Sequence, residues 1–202
     1  MQKNPYPGKF IVLEGLDGSG QTTQASILAA ALQKAGREVV ITKEPTLESE
    51  AGKHIRNVLD KKEVLDSLEL QRLFAQDRKE HLEKTIVPAL QKGVWVVCDR
   101  YVFSSLAFGS VAGARPQDLI VLQNDFLLPD VTFLLGVKPA VCVQRIRKRG
   151  KPFTLFEEEQ KMEKIWQAYE TLPKKFQHIH VIDGQQPIEE VAKTIWQIIS
   201  QP

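Results

Sequence analysis

The chain has 202 residues, 43% of them hydrophobic and 26% charged, with a formal net charge of +2. That length and balance suit one globular domain with a substantial core, and the near-neutral charge excludes a broad basic surface for nucleic acid or anionic membrane. Two cysteines, Cys98 in an apolar run and Cys142 in a helical pattern, make no disulfide framework and read as small core residues.

Residues 1–8 are polar and proline-containing and read as a loose arm. Neither they nor the short apolar run after them has the form of a secretory signal, and no stretch approaches membrane-spanning length, so the cytoplasm is the expected location. A first strand is expected over residues 9–14. It breaks into Gly15-Leu-Asp-Gly-Ser-Gly-Gln-Thr-Thr23 and then a helix that runs to Ala35, with Gly36 as its stop. A strand, a Gly-rich loop and a helix N-terminus in that order present backbone N–H groups to phosphate. The spacing is that of the P-loop pattern G-x-x-x-x-G-K-[ST], with Gly15, Gly20 and Thr22 in place and Gln21 where the lysine belongs. The alternative is a plain glycine-rich turn between strand and helix. Three glycines in six residues followed by Thr-Thr favour phosphate.

Residues 38–42 form a second short strand, broken by Lys43-Glu-Pro45. Helices are expected over 49–60 and 67–91; in the second, Leu70, Leu73, Phe74, Asp77 and Arg78 recur at spacings of three and four, which puts Phe74 and Arg78 on one face. Residues 94–99 read as a buried strand with Asp99-Arg-Tyr101 at its end. Helices follow over 104–110, opened by a serine cap, and 116–127. A fourth strand over 131–137 leads into a proline-initiated helix, 139–149, and Gly150-Lys-Pro-Phe-Thr154 interrupts the pattern. A long helix over 156–174, a strand over 178–183 and a helix over 187–200 complete the chain. This alternation predicts an α/β, three-layer P-loop NTPase fold: a five-stranded parallel sheet with helices on both faces. Ligands of such sheets bind beyond the carboxyl ends of the strands. The Gly-rich loop, Lys43-Glu-Pro45, Asp99-Arg-Tyr101 and the loop after Asp183 are therefore expected to meet at one cleft.

Gly15-Leu-Asp-Gly-Ser-Gly-x-Thr-Thr-Gln24, Glu44-Pro45, Phe74 with Asp77-Arg78, Asp99-Arg-Tyr101 and Ser104-Ser-Leu-Ala107 share an order and spacing with the thymidylate kinase family. So does the tail Ile182-Asp-Gly-Gln-Gln-Pro-Ile-Glu-Glu-Val191, and the chain resembles that family over nearly its whole length. The resemblance implies a homodimeric enzyme that transfers the γ-phosphoryl of ATP to dTMP with Mg²⁺, in a single domain over 1–202 with a lid at about 145–156. It implies small-molecule nucleotides as partners, with no nucleic acid and no membrane. By position, ATP phosphates fall to Gly15, Gly18, Ser19, Gly20, Gln21, Thr22 and Thr23, with Arg145 and Arg149 from the lid, and the metal to Thr22 and Asp99. Catalytic roles fall to Asp17, Gln21, Lys43, Asp99 and Arg100. The acceptor falls to Asp17, Glu44, Pro45, Phe74, Arg78, Arg100, Ser104, Ser105 and Phe108, with Phe74 stacking on thymine, Arg78 bonding its edge and Arg100 clamping its phosphate.

Each residue also has an ordinary structural account. Phe74 suits a core face, Arg78 a helix-surface ion pair, Asp99-Arg100 a strand-end salt bridge, Asp17 a turn and Ser104 a cap. The basic run Arg145-Ile-Arg-Lys-Arg-Gly-Lys151 suits a solvated helix end as well as a phosphate-binding lid. The chain departs from the family's usual pattern at four places. Gln21 replaces lysine, Lys43 replaces arginine before Glu-Pro, Phe108-Gly109 replaces Tyr-Gln, and Leu155 replaces a lid arginine. Two cations are thus missing around the transferring phosphoryl, with Lys43, Arg145, Arg147, Arg149 and Lys151 as the candidates to compensate. The alternatives to a dTMP kinase are a kinase for another nucleoside monophosphate, or a nucleotide-binding protein of this fold with impaired transfer.

Overall fold

Five apolar segments pair into one parallel sheet in the computed structural model, which describes residues 1–150 and 153–200. They are β1 (Phe10–Gly15), β2 (Val39–Lys43), β3 (Trp95–Asp99), β4 (Val131–Gly136) and β5 (Ile179–Asp183), in the spatial order β2-β3-β1-β4-β5. β1 is central and buried along its whole length, which is why it reads as a continuous apolar run and not an alternating one. Its register sets Leu13 beside Asp99, the last residue of β3, on one side and Phe133 on the other, so β1 and β4 run two to three residues past the end of β3.

The helices are α1 (Gln21–Lys34), α2 (Glu50–Leu59), α3 (Ser67–His81), α4 (Val87–Gln91), α5 (Val102–Val111), α6 (Pro116–Gln123), α7 (Pro139–Lys148), α8 (Glu159–Thr171) and α9 (Ile188–Ile199). Successive side chains of a strand point to opposite faces, so two cores form. On one face Ala25, Leu28, Val191 and Ile195 of α1 and α9 pack on Ile11, Leu13 and Phe133. On the other, Val102, Phe103, Cys142, Ile165 and Tyr169 pack on Phe10, Val12 and Cys98. No helix among the described residues is long and apolar enough to cross a membrane.

The structure redraws several expected boundaries. The helix expected over 67–91 is interrupted: α3 ends at His81, a π turn spans Leu82–Ile86, and α4 follows. Pro88 supplies the reason, because in a regular helix its ring would oppose the carbonyl of Lys84, and the wider turn relieves that contact. α5 starts at Val102 without a side-chain cap, so Ser104 lies inside the helix. α6 stops at Gln123, and the helix expected over 156–174 begins only at Glu159 and ends in a tight turn at Leu172–Lys174 containing Pro173. Residues 1–8 are pinned and not loose. Gln2 pairs with Leu127, and the Asp130 carboxylate accepts from Asn4 Nδ2 at 2.8 Å and from the Phe10 N–H at 2.7 Å.

Candidate active site

β1 delivers the chain into the Gly-rich loop, where Gly15, Gly18 and Gly20 adopt φ values of 148°, 82° and 104°. Gly18 is required twice over. Its φ is left-handed, and a Cβ there would come within 2.8 Å of the Cys142 carbonyl on α7. Gly20 precedes α1 and no side chain caps that helix, so its first-turn N–H groups point at the loop with the positive end of the dipole. The Ser19 hydroxyl is buried with no partner among the described residues. Thr22 and Thr23 open α1 on its exposed side. The Thr22 hydroxyl donates to Asp99 Oδ2 at 2.5 Å, and Lys43 Nζ stands 3.5 Å from the same oxygen. Gln21 is turned inward: its Nε2 donates to the Gly15 carbonyl at 3.0 Å and its Oε1 accepts from Arg100 Nη2 at 3.2 Å.

Arg100 joins the loop to the rest of the cleft. It follows β3 with φ 72°, a left-handed conformation that costs a non-glycine residue on the order of 1–3 kcal/mol. The surrounding backbone holds it there. Its N–H donates to Leu13 O at 2.9 Å, and the N–H groups of Tyr101 and Ser104 both donate to Glu14 Oε1, at 3.0 and 3.1 Å. The guanidinium donates to the Gly15 carbonyl (2.9 Å), Ser104 Oγ (3.1 Å) and Asp17 Oδ1 (2.9 Å), and lies 5.1 Å from the Phe108 ring centre. Burial acts to lower its pKa, but Asp17, Tyr169, Asp99 and Glu14 outweigh it, so Arg100 stays charged. Glu14, wholly buried, is raised above the usual carboxylate value by desolvation, which Arg100 and the hydroxyls of Ser104 and Tyr169 only partly offset.

Beside Arg100 opens a cavity of about 750 Å³, within the range of small-molecule sites. Its walls bring together Asp17, Glu44, Pro45, Phe74, Arg78, Arg100, Ser104, Ser105 and Phe108, the full set expected around an acceptor, and Lys43 beside them. Arg78 is 1% exposed. Its Nε donates to Glu44 Oε2 at 2.8 Å and its Nη1 to Ser105 Oγ at 3.1 Å and Gln123 Oε1 at 2.5 Å. It also lies 5.0 Å from the Tyr101 ring centre. Glu44 is thus occupied: one oxygen holds Arg78 and the other faces His81 Nδ1 at 3.1 Å. Its place in the wall orients the arginine.

The basic run divides. Arg145 reaches the carbonyls of Gly18 (3.4 Å), Ser19 (3.3 Å) and Gly184 (3.4 Å), which ties the loop after β5 to the Gly-rich loop. Arg149 pairs with Glu157 at 2.5 Å, and both line the cavity. Arg147 is exposed, and Lys151 lies outside the described residues. Leu155 packs partly buried against the core beneath this segment.

A family model described as thymidylate kinase matches residues 13–195. The chain belongs to the thymidylate kinase family. Among its relatives, a probable thymidylate kinase of Pyrococcus horikoshii is 39% identical over 196 residues, covering 93% of this chain and 94% of that protein. The thymidylate kinase of Caldicellulosiruptor saccharolyticus is 35% identical over 198 residues, covering 95% and 96%. For a thymidylate kinase family member, the parallel sheet and the Gly-rich loop at the end of its central strand are the expected frame. Sequence reasoning passed over Glu14, Gln71, His81 and Tyr169. Glu14 carried a readable signal, since it is the one charged residue in an otherwise apolar central strand. Gln71, one turn before Phe74, was legible from helical spacing; Tyr169 was not, because only folding brings it to Glu14.

Proposed function

We propose that the chain transfers the γ-phosphoryl group of ATP to dTMP, as one domain over 1–202, acting as a homodimer, with residues 145–156 as its lid. The observation that carries this reading is Arg78. An arginine so deeply buried, with Nε and Nη1 bonded to Glu44, Ser105 and Gln123, is fixed in direction. It serves a cavity whose other walls are the aromatic face of Phe74 and the charge of Arg100. A flat ring, a fixed donor and a cation match a base, its keto oxygen and a phosphate.

In this reading Phe74 and Arg78 hold the base, and the Arg100 guanidinium exchanges part of its contact with Asp17 for the acceptor phosphate. Asp17 then faces the acceptor's sugar and phosphate side. Ser104 and Ser105 keep the two arginines in position. The loop N–H groups, Ser19 and Thr22 receive the donor phosphates, with positive charge from Lys43, Arg145 and Arg149. Mg²⁺ fits Thr22 and Asp99, whose hydroxyl and carboxylate oxygens already meet, since this ion takes one or two protein oxygens and completes its shell with phosphates and water. When bound it supplies neutralisation of phosphate charge. Gln21 is neutral, and losing one cation of this kind costs on the order of 3 kcal/mol of transition-state stabilisation. The inward turn of Gln21 favours a second reading, a nucleotide-binding protein with weak transfer. A coupled assay with ATP, Mg²⁺ and dTMP, dCMP, dAMP or dGMP separates them. The expected result is a kcat/KM for dTMP at least about tenfold above the other three. Equal values for all four overturn the pocket assignment, and binding without transfer to any of them favours the second reading.

A further inference from the structure

Gln71 lies on α3 with no exposed surface, and it lines the cavity beside Phe74 and Arg78. It sits one turn before Phe74 and two before Arg78, so the three share a helix face. Neither Nε2 nor Oε1 of its carboxamide has a hydrogen-bond partner among the described residues. Leaving one buried polar group unpaired costs about 1–3 kcal/mol, and here donor and acceptor are both unpaired on one side chain. The packing around it is built for it. Across the gap α5 carries Gly109, where a Cβ would stand 3.0 Å from Gln71 Cδ and 2.7 Å from Leu119 Cδ2. The missing side chain at 109 is what admits the amide.

We propose that Gln71 is a specificity-determining residue that reads the imide edge of the acceptor base: its Oε1 accepts from N3–H and its Nε2 donates to a flanking carbonyl oxygen. The inference rests on dTMP as the acceptor. A carboxamide can face either way, and Arg78 decides which. A guanidinium only donates, so the base must present a keto oxygen to it and not an amino group. Thymine offers acceptor, donor, acceptor along that edge, and the arginine and amide complement it. Cytosine turns its amino group toward the arginine, two donors face to face, which is discrimination by repulsion as well as by pairing.

The test compares dTMP with N3-methyl-dTMP in the wild type and in Gln71→Leu, which keeps the bulk and removes the amide. Titration should show the wild type binding dTMP at least about tenfold more tightly than the methylated nucleotide, the range for one good pairing contact. In Gln71→Leu that ratio should collapse to within about threefold of unity, while the KM for ATP stays unchanged. A purely structural role would weaken both nucleotides equally and leave the ratio where it was. An unchanged ratio therefore overturns the proposal, as does a wild type indifferent to N3 methylation, a result that needs no variant. If Gln71→Leu does not melt cooperatively, Gln71→Met takes its place with the same two outcomes. A wild type that prefers another monophosphate over dTMP sinks the acceptor assignment itself. One that prefers dTMP with a ratio insensitive to position 71 sinks only this inference.

Discussion

Position 21 concentrates the chemistry of the departures from the family pattern. Gln21 and Arg100 share the Gly15 carbonyl, and the amide oxygen of one accepts from the guanidinium of the other. A lysine there would set a second cation beside Arg100 until phosphates arrive to neutralise both. Gln21→Lys is therefore expected to act in opposite directions on fold and turnover. The ligand-free protein should melt about 2–8 °C lower, for a penalty of about 1–2 kcal/mol. At the same time kcat should rise about tenfold, with a smaller change in the KM for ATP, because the added charge acts mainly in the transition state. Calorimetry and steady-state kinetics on one preparation check both halves. A stable variant with no gain in kcat would mean that Lys43, Arg145 and Arg149 already supply the charge.

Between residue and molecule, the contact that organises the site is β1 against the start of α5. Glu14 takes two backbone N–H groups and two hydroxyls there, and so fixes the turn that aims Arg100. Its pKa in the folded chain lies above the ordinary 4.5, so the native state holds the proton longer than the unfolded one. Stability contributed by this group is present at low pH and falls as pH rises from about 4.5 through the folded value. The melting temperature of the wild type minus that of Glu14→Gln should decline over the same interval. A difference that grows with pH would show that Arg100 stabilises Glu14 as a carboxylate. Such contacts mark the limit of what could be read in advance. The inner strands β1, β3 and β4 were legible to within a residue or two because a parallel strand buried on both faces is an unbroken apolar run, and the half-exposed edge strands β2 and β5 from their short apolar runs. Phe74 and Arg78 declared a shared face by spacing, and the cavity bears it out. The π turn before Pro88 was hidden, since apolar periodicity continues through it. Ser104 read as a cap because serine before an apolar run usually is one; Glu14 and Tyr169, distant in sequence, claim its hydroxyl instead.

Over the whole molecule, the cleft joins elements from both halves of the chain, so a bound nucleotide should hold them together. At a dTMP concentration 100 times its dissociation constant, linkage adds about 2.7 kcal/mol of stability, or about 5–10 °C in melting temperature for a chain this size. Arg100→Ala should weaken monophosphate binding by about 2–4 kcal/mol and reduce that shift to about 3 °C or less at the same concentration. Thymidine, without a phosphate, should bind both proteins nearly alike; a comparable loss for thymidine would mean that Arg100 serves the fold and not the phosphate. The sheet order carries a consequence for how the molecule comes into being. β1 is synthesised before either strand it pairs with: Phe10 meets Val96, and Ile11 meets Val131. At roughly 5–20 residues per second, the ribosome takes roughly 6–24 s to cover that second interval. Until β3 follows, the fully buried central strand has no partner, and until β4 follows its second edge stays open, with the Gly-rich loop attached. A newborn chain thus acquires its nucleotide site late, only after β4 has closed the centre of the sheet and the cavity-lining Arg149, Phe156 and Glu157 have followed it.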